Sequence, residues 1–355
     1  MISEAEIREA LRDVMDPEIH QSIIDLDMVR TIQIDGNTVT VDIALTIAGC
    51  PLQNEIKASV EAKLKSLPEV QAVRVKLGVM AEEERRQLTE RLHGPKAAAK
   101  SPIMDPNSPT RIIIVASGKG GVGKSTVTVN LAVALSRLGK HVGILDADIY
   151  GFSIPRMIGA SGAPTVLGED TILPLEAHGV KLISMGSFVS EDTPVVWRGP
   201  MLIKALEQFL TDVLWGELDY LLIDSPPGTG DIALSAMQML PKAKVLIVTT
   251  PQASAFKVAS RVGHMAQKVQ MPVLGVVENM SYFVCDSCLQ EHHIFGEGGG
   301  EQVATALGTQ LLARIPLGAD VREKGDTGEP IAVQAPEAPA GKAFNDLALD
   351  IDRSW

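Results

Sequence analysis

Little in the sequence suits an oxidising compartment, a membrane or a polyanionic partner. Three cysteines in 355 residues are too few and too odd for a disulfide framework, so the thiols are expected to be free in a reducing compartment. No apolar run reaches the roughly 18 residues of a transmembrane helix. The opening M-I-S-E-A-E-I-R-E-A-L-R lacks the basic start and apolar core of a secretory signal. Basic residues are also short, 32 Lys+Arg against 44 Asp+Glu, which leaves no broad footprint for nucleic acid or an anionic membrane. These shortages predict a cytoplasmic protein with no nucleic-acid or membrane partner, although an organellar protein trimmed of its leader reads the same way. Small anions must then be held by local features.

What is present is core. At 45% hydrophobic content the chain can bury two domains of ordinary size. Residues 1–94 pattern as a small α+β unit: helices near 3–14, 51–67 and 81–92, and strands near 29–34, 39–45 and 72–77. Residues 95–110, P-K-A-A-A-K-S-P-I-M-D-P-N-S-P-T, carry four prolines and no periodicity, the texture of a linker. Residues 111–355 then alternate short apolar β-branched runs (112–116, 142–145, 220–223, 245–249, 273–277) with helical segments. Such runs are buried on both faces, which predicts an α/β fold with a mostly parallel sheet flanked by helices. In that class, ligands sit beyond the carboxyl ends of the strands.

The first of these runs leads into G-K-G-G-V-G-K-S-T, residues 118–126, followed by a helical segment. Gly118, Gly120, Gly121 and Gly123, with Val122 between them, let the backbone turn its N–H groups inward around phosphate oxygens, and the helix adds its positive end. In this P-loop pattern Lys124 reaches the β/γ-phosphates, Ser125 ligates Mg²⁺, and Thr126 continues the cradle into the helix.

Beyond the general P-loop, this stretch resembles the deviant Walker loop of the MinD, ParA and nitrogenase iron protein relatives. The resemblance implies that Lys119 crosses to a partner's phosphates in a nucleotide-bridged homodimer. It also implies that Asp148, in L-D-A-D, positions the attacking water. Asp224, in L-L-I-D-S-P-P-G-T-G-D, matches a Walker B and switch II pattern: the resemblance implies that it holds the Mg²⁺ shell through water, while the Gly228 N–H senses the γ-phosphate. No Asn-Lys-x-Asp motif reads guanine. Asn279 in V-E-N-M and Pro316 in R-I-P-L match positions that contact adenine in the resembling family, so ATP is the expected nucleotide.

Cys285 and Cys288 form a C-x-x-C on a loop, a spacing that suits one metal, one cluster, a redox pair, or two incidental thiols. W-R-G-P-M (197–201), W-G-E-L-D-Y (215–220), D-S-P-P-G-T-G-D (224–231), E-N-M-S-Y (278–282) and I-F-G-E-G-G-G (294–300) together resemble the Mrp/ApbC iron-sulfur cluster carriers. That resemblance implies an ATP hydrolase that carries a 4Fe-4S cluster, with apo iron-sulfur clients and scaffold proteins as partners. Two thiolates per chain complete a Cys₄ site only across a homodimer. The rival is zinc within one chain, using Cys285, Cys288 and His292 or His293.

The front domain resembles the small domain of iron-sulfur assembly factors through D-P-E (16–18), I-I-D-L (23–26) and T-I-A-G-C-P-L (46–52). It departs from them at Leu26-Asp27, where the family has Leu-Gly. Cys50, before an expected helix start, is read as an accessory thiol. Two other classes compete with the carrier. A MinD/ParA-like positioning switch would need an amphipathic membrane helix or a basic patch, and a C-x-x-C redox enzyme would need a redox-domain context.

Overall fold

The computed structural model describes residues 2–19, 21–46, 52–93, 103–105, 107–148, 151–167, 171–188, 199–240, 242–285, 287–288 and 290–355. The readings placed on Cys50, on Trp197 and Arg198, and on most of the 95–110 stretch lie outside those residues. The chain forms two compact units, Met1–Ala99 with Thr165–Leu173, and Lys100–Pro164 with Pro174–Trp355.

In the first unit α1 (Glu4–Ala10) starts on a capping box: the Glu6 N–H donates to Ser3 Oγ at 3.3 Å and the Ser3 N–H to Glu6 Oε2 at 2.8 Å. The helix tightens into a 3₁₀ turn at Leu11–Asp13 rather than continuing as α-helix to Val14. A sheet follows, with β1 (Val29–Asp35) antiparallel to β2 (Thr38–Leu45), and β2 parallel to β3 (Ala72–Val79). Val39, Val41 and Ile43 alternate inward along β2, and α2 (Gln53–Lys65) turns Ile56, Val60 and Leu64 to the core. Helix α3 (Glu82–His93) follows β3.

Asp27 takes the left-handed conformation, φ +57°, that a glycine would occupy at no steric cost. The departure from Leu-Gly therefore keeps the turn. The Asp27 carboxylate accepts from Arg91 at 2.9 Å, an interaction glycine could not make.

The second unit begins with β4 (Arg111–Ser117), α4 (Lys124–Arg137), β5 (Val142–Asp146) and α5 (Ile154–Ile158). The hairpin β6 (Thr165–Leu167) and β7 (Thr171–Leu173), which groups with the first unit, interrupts it. Then come β8 (Leu175–Ala177), β9 (Val180–Ser184), α6 (Gly199–Thr211), β10 (Tyr220–Asp224) and α7 (Asp231–Met239). They are followed by β11 (Lys244–Thr249), α8 (Ala253–Lys268), β12 (Val273–Glu278) and the two-residue strands β13 (Phe283–Val284) and β14 (Glu291–His292). Helix α9 (Gly299–Leu307), β15 (Leu311–Arg314), α10 (Ala319–Thr327), α11 (Ile331–Gln334) and α12 (Pro339–Ser354) end the chain.

Eight strands make one sheet in the order β15-β12-β11-β4-β10-β5-β9-β8. All neighbours are parallel except the edge strand β8, antiparallel to β9. Burial on both faces explains the continuous apolar runs: Ile112 to Ala116 and Tyr220 to Ile223 are all buried. Phe344, Leu347 and Ile351 of α12 join Leu131 and Leu135 of α4 in one core cluster. Among the described residues no helix is long and apolar enough to cross a membrane.

The strand order sets the site. β10 lies between β4 and β5, and Asp224 pairs in register with Val115 on one side and Asp146 on the other. The carboxyl ends of three adjacent strands thus converge beside the glycine loop.

Candidate functional site

The glycine loop leaves β4 at Ser117 and enters α4 at Lys124. Two of its glycines are required by geometry. Gly123 is the helix N-cap at φ +81°, and a Cβ there would lie 2.1 Å from Asn279 Nδ2. A Cβ on Gly118 would lie 2.2 Å from the Val258 backbone carbon on α8. Loop and helix N-terminus together present the backbone arrangement that suits phosphate oxygens. Lys119 is exposed at the start of the loop, with its carbonyl accepting from Ser117 Oγ at 3.1 Å.

Asp224, fully buried at the end of β10, collects three donors. Lys124 Nζ at 2.6 Å and Ser125 Oγ at 2.7 Å reach its Oδ2, and Thr128 Oγ1 at 2.7 Å reaches its Oδ1. Lys124 is itself only 6% exposed, so this ion pair sits in a low-dielectric setting where both charges depend on each other. Ser125 and Asp224 offer the hard oxygen donors that Mg²⁺ takes, so the residues fit that ion.

Asp146 closes β5, and Asp148 stands two residues beyond it on the loop rather than on the strand. The Asp148 N–H donates to Asp146 Oδ1 at 3.2 Å, and Ser184 Oγ at the end of β9 donates to Asp146 Oδ2 at 3.0 Å. Burial, and then the neighbouring Asp224 charge, push the Asp146 carboxyl up to about 7, against the pull of those two bonds and of Lys124. Half-buried Asp148 is held by its backbone at the edge of this pair. The Gly228 N–H donates to Ser117 O at 2.8 Å, so sensing a phosphate requires it to exchange that partner. Asn279 Nδ2 donates to the Val122 carbonyl at 2.8 Å, and Pro316 is buried on the segment that follows β15.

The thiols lie elsewhere on the same unit. Between β12 and α9 the chain folds into the β13–β14 hairpin, with Phe283 opposite His292, Val284 opposite Glu291, and the Cys285 N–H donating to Gln290 O at 3.0 Å. Side chains alternate along a strand, so Phe283, Cys285 and the cross-strand His292 share one face. The ligand atoms of Cys285, Cys288 and His292 all lie within 4.8 Å of one another. His293 points away and its Nε2 lies 3.1 Å from Glu297 Oε1. Cys285 is half-buried, while Cys288 and His292 are exposed. Of the two histidines left open by sequence, the hairpin register selects His292.

No motif marks Thr128 or Ser184, and Asp146 stands in L-D-A-D without a role of its own. A threonine one turn into the helix and an aspartate at the last position of an apolar run were the available signals, but only the strand register shows that they converge. A cavity of about 270 Å³ in the first unit is lined by Arg8, Arg30 and Arg91 among others. Each of these pairs with a carboxylate, Glu4, Glu84 and Asp27 respectively, which accounts for them structurally.

The chain is similar to known proteins. The NUBPL iron-transfer P-loop NTPase family matches residues 108–352, and the iron-sulfur cluster assembly protein family matches residues 4–77. The iron-sulfur cluster carrier protein of Mycobacterium leprae is 50% identical over 348 residues, covering 96% of this chain and 90% of that one. That of Bacillus subtilis is 43% identical over 354 residues, covering 99% and 98%. Among solved structures, a nucleotide-binding protein from Archaeoglobus fulgidus in complex with ADP has 38% identity and a TM-score of 0.55, over 66% of this chain and 91% of that chain. The cell division ATPase MinD of Pyrococcus furiosus has 26% identity and a TM-score of 0.52, over 69% and 99%. The likeness to MinD is thus one of the ATPase fold, whereas the likeness to the carriers runs the length of the chain, and the chain belongs to the iron-sulfur cluster carrier family of P-loop NTPases.

Proposed function

We propose that the protein hydrolyses ATP and holds a labile 4Fe-4S cluster between two copies of itself, passing it in the cytoplasm from scaffold proteins to apo iron-sulfur clients. The observation that carries this reading is the exposed hairpin on which Cys285 and Cys288 come together. Two thiolates on an accessible tip leave a cluster half-coordinated by one chain and complete it by a second. Exposure suits cargo that must leave again.

In the nucleotide site, Lys124 carries the charge that meets the β/γ-phosphates, and the backbone of residues 118–126 turns around them. Asp224 and Ser125 would hold Mg²⁺, which when bound supplies charge neutralisation at the phosphates. Asp148 orients the attacking water from its place beside Asp146, and Gly228 follows the γ-phosphate with its N–H. Lys119, exposed, reaches the partner copy's phosphates, which makes nucleotide binding and dimer geometry one equilibrium. Asn279 and Pro316 border the base. The family assignment supports the nucleotide and iron-sulfur parts of this proposal.

The grouping of His292 with the two cysteines favours a second reading, a mononuclear zinc site within one chain. Anaerobic reconstitution with iron and sulfide separates the two. The carrier reading expects visible absorbance, four irons per dimer, and loss of both in Cys285→Ala and Cys288→Ala with ATP binding retained. Failure of the wild type to take up iron, or normal uptake by Cys288→Ala, defeats it. Zinc at one per chain, lost on His292→Ala, would establish the rival.

A further inference from the structure

We propose that Glu278 is the positioning residue through which the nucleotide loop and the thiol hairpin move together, a coupling that rests on the proposed function only in treating the hairpin as a working part. Glu278 ends β12 and is 1% exposed. Its two carboxylate oxygens each take a bond from one root of the excursion that carries the thiols, and Arg314 Nε lies 3.9 Å from Oε1 as the counter-charge. Ser281 Oγ, before the hairpin, donates to Oε1 at 2.6 Å, and the Gly300 N–H, in the first turn of α9 after it, donates to Oε2 at 2.6 Å. The whole thiol-bearing segment between residues 281 and 300 is therefore drawn together at one buried carboxylate.

The other end of the connection is the next residue. Asn279 Nδ2 holds the Val122 carbonyl of the glycine loop at 2.8 Å, packed so closely that residue 123 has no room for a Cβ. Main-chain bonds stiffen the joint: Asn279 N–H to Thr249 O at 2.8 Å, Ile315 N–H to Glu278 O at 2.8 Å, and Ser281 N–H to Ile315 O at 2.9 Å. A displacement of Val122 and Gly123 as phosphates seat is thus delivered, two residues along a rigid segment, to both roots of the hairpin. A neutral brace would close the loop as well at a smaller desolvation cost. The carboxylate supplies two acceptors facing opposite ways; a carboxamide could still bridge both roots, accepting from the Gly300 N–H and donating to the Ser281 hydroxyl, so it is truncation of the side chain that removes the brace.

The test reads thiol reactivity, so that it needs no iron. In a Cys50→Ser background, whose only thiols are Cys285 and Cys288, the rate of reaction with a disulfide reagent such as Ellman's is measured with and without Mg-ATP. The parent protein is expected to show a nucleotide-dependent change of about 5-fold or more. In Glu278→Ala the ratio should collapse toward one while ATP affinity stays within about 2-fold, which a residue that only stabilises the fold would not produce. Ser281→Ala, which frees only the first root, should lose most of the ratio and carries the test if Glu278→Ala does not fold. A parent rate indifferent to nucleotide, or a ratio that survives in Ser281→Ala or in folded Glu278→Ala, overturns the coupling. Loss of the ratio in the variants, with no cluster formed by the parent, would leave this inference standing and remove the cluster reading alone.

Discussion

The nucleotide site and the thiol site are built on opposite plans. Around Asp224 every polar partner comes from a strand end or from α4, Lys124 and Asp224 are nearly or fully buried, and each bond is closed by another within the same cluster. The thiols lie between two strands of two residues each, with Cys288 and His292 exposed. A charge cluster in a low dielectric holds its geometry because any loosening exposes an uncompensated ion. A short hairpin has little cross-strand packing to resist rearrangement. The difference suits a site that must present one geometry to phosphates and another that must take up and release its cargo.

Four substitutions would break or sharpen this contrast. Lys124→Ala should have the largest effect, and on two quantities at once. ATP affinity should fall by at least about 100-fold through loss of the phosphate's countercharge, and stability should fall by about 3–5 kcal/mol because Asp224 is left buried beside Asp146 without its cation. Calorimetric titration and denaturant unfolding check the pair; an unchanged unfolding midpoint would mean that the buried ion pair does not govern the site.

At the thiols, the contrast predicts an effect confined to the metal. Cobalt(II) binding to a single chain should weaken by about 10-fold or more in His292→Ala, while His293→Ala, whose partner is Glu297, should bind as the wild type does. Visible cobalt spectra give both affinities, and equal effects of the two substitutions would refute the hairpin register. The unfolding midpoint should barely move in either variant.

The smallest effect concerns pH. Because the Asp146 carboxyl is pushed up to about 7 in the folded chain, from an ordinary value of 3.8, the native state holds a proton that the unfolded chain has released. Its contribution to stability is fully present below about 4 and is lost as pH rises through about 7. Asp146→Asn removes that loss, so its melting temperature relative to wild type should rise between pH 5 and pH 8. A difference that stays flat with pH would show that the proton is not held there.

Sequence made the central strands and the glycine loop legible because each is a local pattern: a continuous apolar run, or eight residues ending in Gly-Lys-Ser. β9 is illegible in sequence because Lys181 interrupts V-K-L-I-S, yet its ammonium is held by the Trp215 carbonyl at 2.8 Å, and burial pushes its pKa down. The hairpin β6–β7 lacks any strong turn dipeptide to announce it. Asp148 was read from its motif, whereas Asp146, two residues earlier, gained its place only from pairing with Asp224 across strands that are far apart in sequence. Likewise C-x-x-C marked the thiols, but the choice between His292 and His293 follows from which residue lies opposite Phe283. Period-two alternation assigns a face only once the register is known.

Lys124 and Asp224 are separated by 100 residues, and β4 has both its sheet neighbours, β10 and β11, further along the chain. During synthesis at roughly 5–20 residues per second, the glycine loop leaves the ribosome about 5–20 s before its counter-ion does. Through that interval the loop and the first turn of α4 have no strand beside them to fix their direction, and β4 exposes two apolar faces. A nascent chain stalled before residue 220 should therefore bind chaperones of exposed hydrophobic segments rather than ATP, and nucleotide binding becomes a property that the ribosome-bound chain acquires late, in one step, as β10 docks.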